Sequence, residues 1–478
     1  MPTSDAQLLT KSATDLAAMI RSGDISAVEL IDATLRQIEA NSDINAFTLV
    51  DADGAREAAR AVKPGDARPF AGVPIAIKEL NAVAGQPLTM GSDILGDYLA
   101  PSDMYTIRRL REAGFILVGR TSAPEFGIVP VTEPRRFGPT RNPWNTDRTP
   151  GGSSGGAAAA VAAGMLPLAH GSDGAGSLRI PAACCGLVGH KASRGRISAG
   201  PDAGDSPLST QGALTRTVME SALLLDILSG YELGDATWAP DPEEPFAVTA
   251  GKPPRTLRIA FTTETPISGV EVHPEHVRAV EDAAKTLEAL GHHVERFTPA
   301  IWNMDQLMEA FLALYGSGVG SGVNWAAAVT QRRPSPELVE PLTWAFYQHG
   351  ARVSGPDLIA AQVGLQGHSR AFLQLFRSFD AFMTPTLAAR PIPVGSLNTM
   401  TEDGLSEFRK AVAFTPFTAV YNVTGQPAIS LPVGQGADGL PLAVQIAGKP
   451  LADGELLALA AQVEAALPWS GRLPERLR

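Results

Sequence analysis

Cysteine is almost absent from this chain. The 478 residues include only two cysteines, and these are adjacent, at Cys184 and Cys185. Neighbouring cysteines rarely meet disulfide geometry, so we expect both thiols to be reduced and buried. Reduced thiols are typical of proteins in a reducing compartment. The first residues also lack the basic start and apolar run of a secretory signal, and we therefore expect a cytoplasmic protein.

Basic residues and long apolar runs are also scarce. Lys and Arg number 39 against 50 for Asp and Glu, which gives a formal net charge of -11 without any basic cluster. Nucleic acid and anionic membrane surfaces are therefore not expected partners. No stretch approaches the roughly 18 consecutive apolar residues of a membrane span. What remains is an ordinary globular composition, 44% hydrophobic and 19% charged, in a chain long enough to bury a deep pocket.

Helical and strand patterns alternate along the sequence. Residues 14–40 predict two helices, and a capping box of Ser26 and Glu29 opens the second. Residues 71–80 form a continuously apolar run that is typical of a strand buried on both faces, although the run contains a lysine. Residues 106–121 predict a helix followed by a strand, which is a common step in α/β proteins.

Neither a repeat nor a clear linker divides the chain. Residues 231–256, rich in Pro, Asp, Glu and Gly, predict an exposed connection. Residues 311–350 are aromatic and Gly-rich and could line a pocket, although core packing is the simpler interpretation for any single residue there. We expect one α/β domain over residues 1–478, with a central twisted mixed β-sheet flanked by helices on both faces.

The densest chemical signal lies in residues 149–193, which contain two glycine-rich turns with serines. The first turn is Gly-Gly-Ser-Ser-Gly-Gly, beginning at Gly151, and the second ends in Ser177. Glycines beside a serine allow positive φ and let a substrate approach the backbone. Successive N–H groups in such a turn can form a nest for an oxyanion. The pattern therefore favours nucleophilic chemistry.

A serine hydroxyl needs a base before it can act as a nucleophile. Histidine is the usual base, yet the eight histidines stand in no obvious relation to the two turns, apart from His170. Lys78, inside the apolar run GVPIAIK, is a different solution. Burial disfavours the charged ammonium and brings its pKa from about 10.4 towards neutrality. A neutral lysine amine is a competent general base.

Together these residues resemble the amidase signature family. The nucleophile of that family lies in a Gly-Gly-Ser-Ile-Arg element, which is matched here around Ser177. The bridging serine of the family falls on Ser153, 24 positions earlier, and its lysine falls on Lys78. The resemblance covers most of the chain, including residues 417–434, and its signature core spans about residues 70–200.

The resemblance implies a Ser–cis-Ser–Lys triad in an α/β fold. Lys78 is then the base that acts through Ser153, and Ser177 attacks the scissile carbonyl to form an acyl-enzyme. The implied oxyanion donors are the backbone N–H groups of Gly174, Ala175, Gly176 and Ser177. The family's chemistry implies no metal and no organic cofactor. The implied partner is a small-molecule substrate, and homodimers are common in the family.

Two positions depart from the family's pattern. Glu79 replaces the commoner Asp after the lysine, and Ala175 replaces the first glycine of the nucleophile element. Alanine would cost about 1 kcal/mol or more at a position that required positive φ. We expect Ala175 to be tolerated, because the branch of the family that this sequence most resembles also has a non-glycine residue there.

That branch includes hydrolases of the cyclic nylon dimer, aryl acylamidases and urethanases. The sequence shares with it Thr132–Pro134, Thr140–Asn145 and the run at 195–201. The branch implies small, fairly apolar amides (linear, cyclic or aryl) as substrates, with carbamates as the alternative. By resemblance, Gly127 and Ile128 lie in the pocket wall. The rival within the family is an amidotransferase A-type subunit that needs partner proteins.

Other interpretations of the same residues stay open at this point. Lys78 could be a surface lysine whose stem lies along a strand, and either serine turn could be only a helix cap. The first turn also fits the G-x-S-x-G elbow, which would make Ser154 the nucleophile of an α/β-hydrolase. His170 is expected to be a structural hydrogen-bonding residue. Asp173 and Arg179 are expected to orient the second turn through hydrogen bonds.

Overall fold

Several helices begin where the sequence carries a capping residue. The computed structural model describes residues 5–201 and 203–477. Ser26 and Glu29 form the predicted capping box, each side chain accepting the backbone N–H of the other residue. The helices in these residues are α1 (Asp5–Leu9), α2 (Ala13–Ser22), α3 (Ala27–Ala40), α4 (Ala52–Ala61), α5 (Tyr105–Glu112), α6 (Gly155–Ala162), α7 (Arg179–Cys185), α8 (Val218–Leu228), α9 (Phe246–Ala250), α10 (Pro274–Ala289), α11 (Met308–Thr330), α12 (Pro341–Ala351), α13 (Gly355–Phe372), α14 (Gly404–Phe414), α15 (Ala419–Thr424) and α16 (Asp453–Ala466).

The strands form a large and a small sheet. They are β1 (Phe47–Val50), β2 (Pro74–Lys78), β3 (Ile116–Thr121), β4 (Ala169–Asp173), β5 (Val188–Lys191), β6 (Thr210–Thr215), β7 (Arg258–Phe261), β8 (His293–Arg296), β9 (Ala381–Pro385), β10 (Ala428–Gln435) and β11 (Pro441–Gly448). Within the described residues, the large sheet has eight strands in the order β4-β6-β5-β10-β11-β9-β7-β8. The small sheet has the order β1-β3-β2.

Both sheets mix parallel and antiparallel pairs. In the large sheet β7 runs parallel to β8 and β9, whereas β10 runs antiparallel to β5 and β11. Helices α7, α10 and α16 pack against β10 and β11, so helices cover this sheet. The predicted α/β fold with a central mixed sheet is therefore confirmed. The strand that carries Lys78, however, belongs to the small sheet, where β2 pairs in parallel with β3.

Helix α6 consists entirely of small residues and valine, and every one of its side chains is buried. A Cβ added at Gly156 would lie 2.4 Å from the backbone nitrogen of Ser122, so the helix packs directly onto the chain that follows β3. Only glycine permits such an approach. This packing brings the first serine turn, at the start of α6, close to the end of β2.

The predicted connection at 231–256 is not wholly exposed. It contains α9, in which Phe246 and Ala250 are buried. This short helix packs against α8 and α16, because its apolar side chains complete the core at that edge. The prediction of an exposed connection is wrong for this part, since composition alone does not reveal two buried side chains. In the described part of the chain, no helix is both long and apolar enough to span a membrane.

Candidate active site

The side chain of Lys78 is fully buried at the end of β2. Its Nζ donates hydrogen bonds to Ser153 Oγ at 2.8 Å and to Ser172 Oγ at 3.0 Å. Burial lowers the pKa of Lys78 to about 7, against the opposing charge of Asp173. About half of the amines are therefore neutral at pH 7, as a general base requires. The interpretation of Lys78 as a surface lysine is wrong.

Ser153 connects the lysine to the second serine turn. Its Oγ lies 2.9 Å from Ser177 Oγ, so Lys78, Ser153 and Ser177 form a continuous chain of hydrogen bonds. The peptide bond between Gly152 and Ser153 is cis. A Cβ on Gly152 would lie 2.7 Å from the backbone of Val131, so only glycine fits there. The structure thus brings all the residues of the predicted triad together.

Ser177 lies in the turn between β4 and α7. Gly176 in this turn has a φ of 127°, and a Cβ there would lie 2.3 Å from Thr418 Oγ1, so the position requires glycine. Ala175 lies outside the left-handed region, and alanine therefore adds no backbone strain at this position. The Thr418 hydroxyl donates to the Ala175 carbonyl at 2.6 Å and holds the turn in place.

A buried ion pair of Asp173 and Arg179 supports the turn from behind. Arg179 Nη2 donates to Asp173 Oδ1 at 2.9 Å and to Asn422 Oδ1 at 2.6 Å. The carboxylate also accepts the N–H groups of Gly176 at 2.7 Å and Leu178 at 3.2 Å. Burial is the largest influence and raises the pKa of Asp173, but the charge and hydrogen bonds of Arg179, together with the hydrogen bond of Asn422, lower it overall. The carboxylate therefore stays ionised and orients the turn, as predicted.

The four predicted oxyanion donors differ in what their N–H groups contact. The N–H of Gly176 donates to Asp173 and is engaged in holding the turn. Within residues 5–201 and 203–477, the N–H groups of Gly174, Ala175 and Ser177 donate to no protein acceptor. Those three remain available as donors beside Ser177 Oγ.

A largely apolar cavity opens beside Ser177. Gly127 and Ile128 lie in its wall, and the described residues contribute no charged side chain to the lining. The lining residues are Gly127, Ile128, Val129, Pro130, Gly152, Ala175, Ser177, Ile180, Ile267, Met304, Leu307, Met308, Phe311, Tyr315, Phe408, Ala411, Val412, Thr415, Pro416 and Ala419.

The cavity wall combines predicted and unpredicted segments. The region 311–350 contributes Phe311 and Tyr315, and the Tyr315 hydroxyl donates to the Ile128 carbonyl at 3.1 Å. The wall from Phe408 to Ala419 was not predicted, because an amphipathic helix such as α14 has the same pattern when it packs into a core. Ser172 was also missed. Its only signal is that it is a polar residue in a strand that is otherwise mostly buried.

Ser154, the alternative nucleophile, and His170, the alternative base, are not aligned in this way. Ser154 Oγ donates to the Ser172 carbonyl at 3.1 Å, and Ser154 is fully buried outside the cavity lining. Burial, with the charges of Lys78 and Arg120, lowers the pKa of His170 to about 3, so its imidazole is a weak base. Among the described residues neither ring nitrogen of His170 has a hydrogen-bond partner. The expected structural hydrogen bonds of His170 are therefore not found.

The motif at Thr140–Asn145 holds the helix that follows the second serine turn. Asn142 Nδ2 donates to the carbonyl of Cys184 at 2.9 Å, and Trp144 Nε1 donates to that of Cys185 at 2.8 Å. Both carbonyls belong to the last turn of α7, where they have no partner within the helix. The two cysteines are free thiols and are buried, as predicted. In the described chain no group of His, Cys, Asp or Glu side chains is arranged to hold a metal ion.

Comparison with known proteins agrees with this geometry. The family model described as Amidase matches residues 29–457, which is most of the chain. Both serine turns and Lys78 lie within the matched residues. The chain therefore belongs to the amidase signature family of hydrolases.

Individual relatives show which members of the family this chain resembles. The chain is 36% identical to the 6-aminohexanoate-cyclic-dimer hydrolase of Paenarthrobacter ureafaciens, over 98% of this chain and 97% of that protein. A solved structure of 6-aminohexanoate cyclic dimer hydrolase matches with a TM-score of 0.94 at 35% identity, covering 98% of this chain and 99% of the other. A bacterial aryl acylamidase of the same family matches with a TM-score of 0.84 at 28% identity, covering 96% and 97%.

Proposed function

We propose that this chain hydrolyses the C–N bond of small, neutral, largely apolar amides, with Ser177 as the nucleophile. The observation that carries the proposal is the hydrogen-bond chain from Lys78 through Ser153 to Ser177, at 2.8 and 2.9 Å. Its last hydroxyl lines the apolar cavity. A base, a relay and a nucleophile are thus aligned at a site that admits a substrate.

The reaction follows from the order of the groups. In the neutral form of Lys78 the amine accepts a proton from Ser153 Oγ, which accepts one from Ser177 Oγ. Ser177 Oγ then forms a bond with the carbonyl carbon of the amide. When the C–N bond breaks, the proton held by Lys78 returns through Ser153 to the leaving nitrogen. Water, deprotonated by the same relay, then hydrolyses the acyl-enzyme and regenerates Ser177.

Negative charge develops on the carbonyl oxygen during the attack. We assign its stabilisation to the N–H groups of Gly174, Ala175 and Ser177, because that of Gly176 is donated to Asp173. Backbone donors held in a fixed turn need no reorganisation when charge appears, and one such donor is worth about 3 kcal/mol in known serine hydrolases. The ion pair of Asp173 with Arg179 keeps this turn rigid.

The substrate class follows from the cavity wall. Burying a charged group against an apolar lining costs several kcal/mol when no partner compensates it. The described lining carries no charged side chain, so a neutral substrate is favoured. The relatives named for the 6-aminohexanoate cyclic dimer and for aryl acylamides support cyclic and aryl amides as the first classes to test. Neither name refers to carbamates or to a tRNA-dependent reaction.

The test is a screen of the purified chain on an anilide, a cyclic amide and a nitrophenyl carbamate. We expect turnover of the anilide, with loss of all turnover in Ser177→Ala. Turnover by the single chain also decides against a subunit that needs partners. A protein that hydrolyses none of the three and whose Ser177 is not labelled by a fluorophosphonate would contradict the proposal.

A further inference from the structure

Glu125, two residues before Gly127 of the cavity wall, has a buried carboxyl group that takes no part in the proposed triad. Glu125 is 2% exposed. Its Oε1 accepts a hydrogen bond from Ser92 Oγ at 2.5 Å, and its Oε2 accepts one from the backbone N–H of Glu340 at 2.7 Å. Ser92 lies between β2 and α5, and Glu340 is the residue immediately before α12. One side chain therefore joins three distant segments.

The turn that follows Glu125 has an unfavourable backbone. Phe126 has a φ of 49° and Gly127 a φ of 71°. The left-handed region is uncommon for a bulky side chain and persists only where surrounding contacts hold it. Here the N–H of Phe126 donates to the carbonyl of Met90 at 2.9 Å. The ring of Phe126 packs against α11, where a Cβ added at Gly322 would lie 3.5 Å from it.

This strained turn lies beside the proposed catalytic groups. A Cβ added at Gly127 would lie 3.1 Å from Ser153 Oγ, so the turn leaves no room for a side chain between its backbone and the relay serine. Gly127 and Ile128 also line the cavity together with Ser177. Any shift of the turn therefore moves the cavity wall relative to the nucleophile.

The surroundings of Glu125 indicate which substitution preserves its contacts. Glu340 is also 2% exposed, and its Oε1 accepts the N–H of Arg135 at 2.7 Å. The Arg135 guanidinium is paired with Asp93 at 2.7 Å and not with Glu125. Burial, followed by the charge of Glu340, raises the pKa of Glu125 well above its ordinary value. A neutral amide can reproduce both contacts, accepting from the Glu340 N–H and donating to Ser92 Oγ.

We propose that Glu125 is a positioning residue that holds the Phe126–Ile128 turn against Ser153 and so sets the shape of the cavity for the substrate. The inference rests on the proposed function, since it concerns the same cavity. It assigns to Glu125 no contact with the reacting atoms. Its effect is on which amides fit beside Ser177.

The experiment compares Glu125→Ala with Glu125→Gln on a small and a bulky anilide. In Glu125→Ala the ratio of the two kcat/KM values should change by about tenfold, mainly through KM, because the wall is displaced. Glu125→Gln should restore the ratio to within about threefold of the wild type, since the amide keeps both contacts. Covalent labelling of Ser177 by a small fluorophosphonate should change less than the ratio does, because that probe barely reaches the wall.

Glu220 provides the matched control. It is 1% exposed and lies outside the cavity lining, and its carboxylate accepts the N–H groups of Ala13, where α2 begins, and of Thr217, the residue before α8. Glu220→Ala should lower the melting temperature, as a lost buried contact does, and leave the ratio unchanged. If Glu125→Ala does not fold, Ser92→Ala, which removes one of the two contacts, replaces it with the same expected direction.

The outcomes separate the two proposals. If the ratio in Glu125→Ala equals the wild-type ratio, the positioning role is overturned and the proposed triad is left intact. The same holds for Ser92→Ala where that variant replaces Glu125→Ala. An equal change of the ratio in Glu220→Ala also overturns it, because the effect would then reflect general destabilisation. If wild-type Ser177 is neither labelled nor active on any anilide, the proposed function fails, and this inference falls with it.

Discussion

Two buried lysines of this chain have similarly lowered pKa values and differ in what they contact. Lys78 ends β2 and Lys191 ends β5, and the two side chains are 0% and 2% exposed. Burial lowers the pKa of each lysine to about 7. Lys78 donates to Ser153, which continues to Ser177. Lys191 donates instead to the backbone carbonyl of Ala192 at 2.9 Å and lies outside the cavity lining.

The comparison teaches that a lowered pKa does not by itself make a catalytic base. A carbonyl oxygen has no proton to give, so a neutral Lys191 has nothing to deprotonate through its contact. A hydroxyl can pass a proton to an amine and accept one from the next hydroxyl. The chemical capacity of Lys78 therefore comes from the serines beyond it, whereas burial is the largest cause of the lowered pKa in both lysines.

The largest effect is expected from Ser177→Ala, which removes the end of the chain that Lys78 reaches. We expect kcat/KM for an anilide to fall by at least about 10⁴-fold, since no other nucleophile is aligned. Ser154→Ala is the matched control in the neighbouring turn, and it should keep most of the turnover. If the Ser177→Ala protein still accumulated an acyl-enzyme, Ser177 would not be the nucleophile, and the contrast between Lys78 and Lys191 would lose its basis.

The next largest effect is expected from replacing Lys78 with methionine, and the same replacement of Lys191 is its control. Lys78→Met should reduce kcat/KM by about 10³-fold, the contribution expected of a positioned general base. Lys191→Met, which removes an equally buried amine, should leave kcat/KM within about threefold of the wild type. The measurement is steady-state hydrolysis with both variants checked for folding by circular dichroism. Similar losses in the two variants would mean that burial, and not the serine relay, is what matters.

The pH profile sharpens the assignment. Because the pKa of Lys78 is about 7, the base is protonated at low pH. Relative to its plateau at high pH, kcat/KM should therefore be about 100-fold lower at pH 5. Lys191→Met should show the same profile. Measuring Glu125→Gln as well separates the titration of Glu125 from that of Lys78. A rate that stays constant down to pH 5 counts against a lysine base.

The smallest effect concerns stability. The folded pKa of Lys191, about 7, lies below the ordinary value of 10.5. Between these values the unfolded chain binds a proton that the native state lacks, so the contribution of this group to stability rises with pH. Lys191→Met removes the penalty and should raise the free energy of unfolding at pH 7 by about 1–3 kcal/mol. The gain should shrink towards pH 10.

Urea unfolding at pH 7 and pH 9 measures this difference. The gain at pH 7 should exceed the gain at pH 9, because the wild type recovers part of the penalty as pH rises. Equal gains at the two pH values would show that Lys191 is not held neutral in the native state. The two lysines would then differ in their electrostatics as well as in their contacts.

The candidate site can be predicted where its signal is local in sequence. The glycines of both turns, the serines beside them and a lysine in an apolar strand are visible as short patterns, and the family resemblance that these patterns carry implies Lys78, Ser153 and Ser177. Ser172 and Asn422 were missed because each is one ordinary polar residue. Their importance comes from contacts with Lys78 and with Arg179, which lie 94 and 243 positions away.

The sequence by itself determined the local geometry and the fold class. Capping residues, glycines at positive φ and apolar periodicity act over a few residues, so they can be recognised in the amino-acid sequence. Only the tertiary structure decided that Gly176 donates its N–H to Asp173, and that the residues from Gly127 to Ala419 enclose one cavity. Such contacts join residues far apart in the chain, and their distances follow from the packing of whole sheets and helices, which no short pattern encodes.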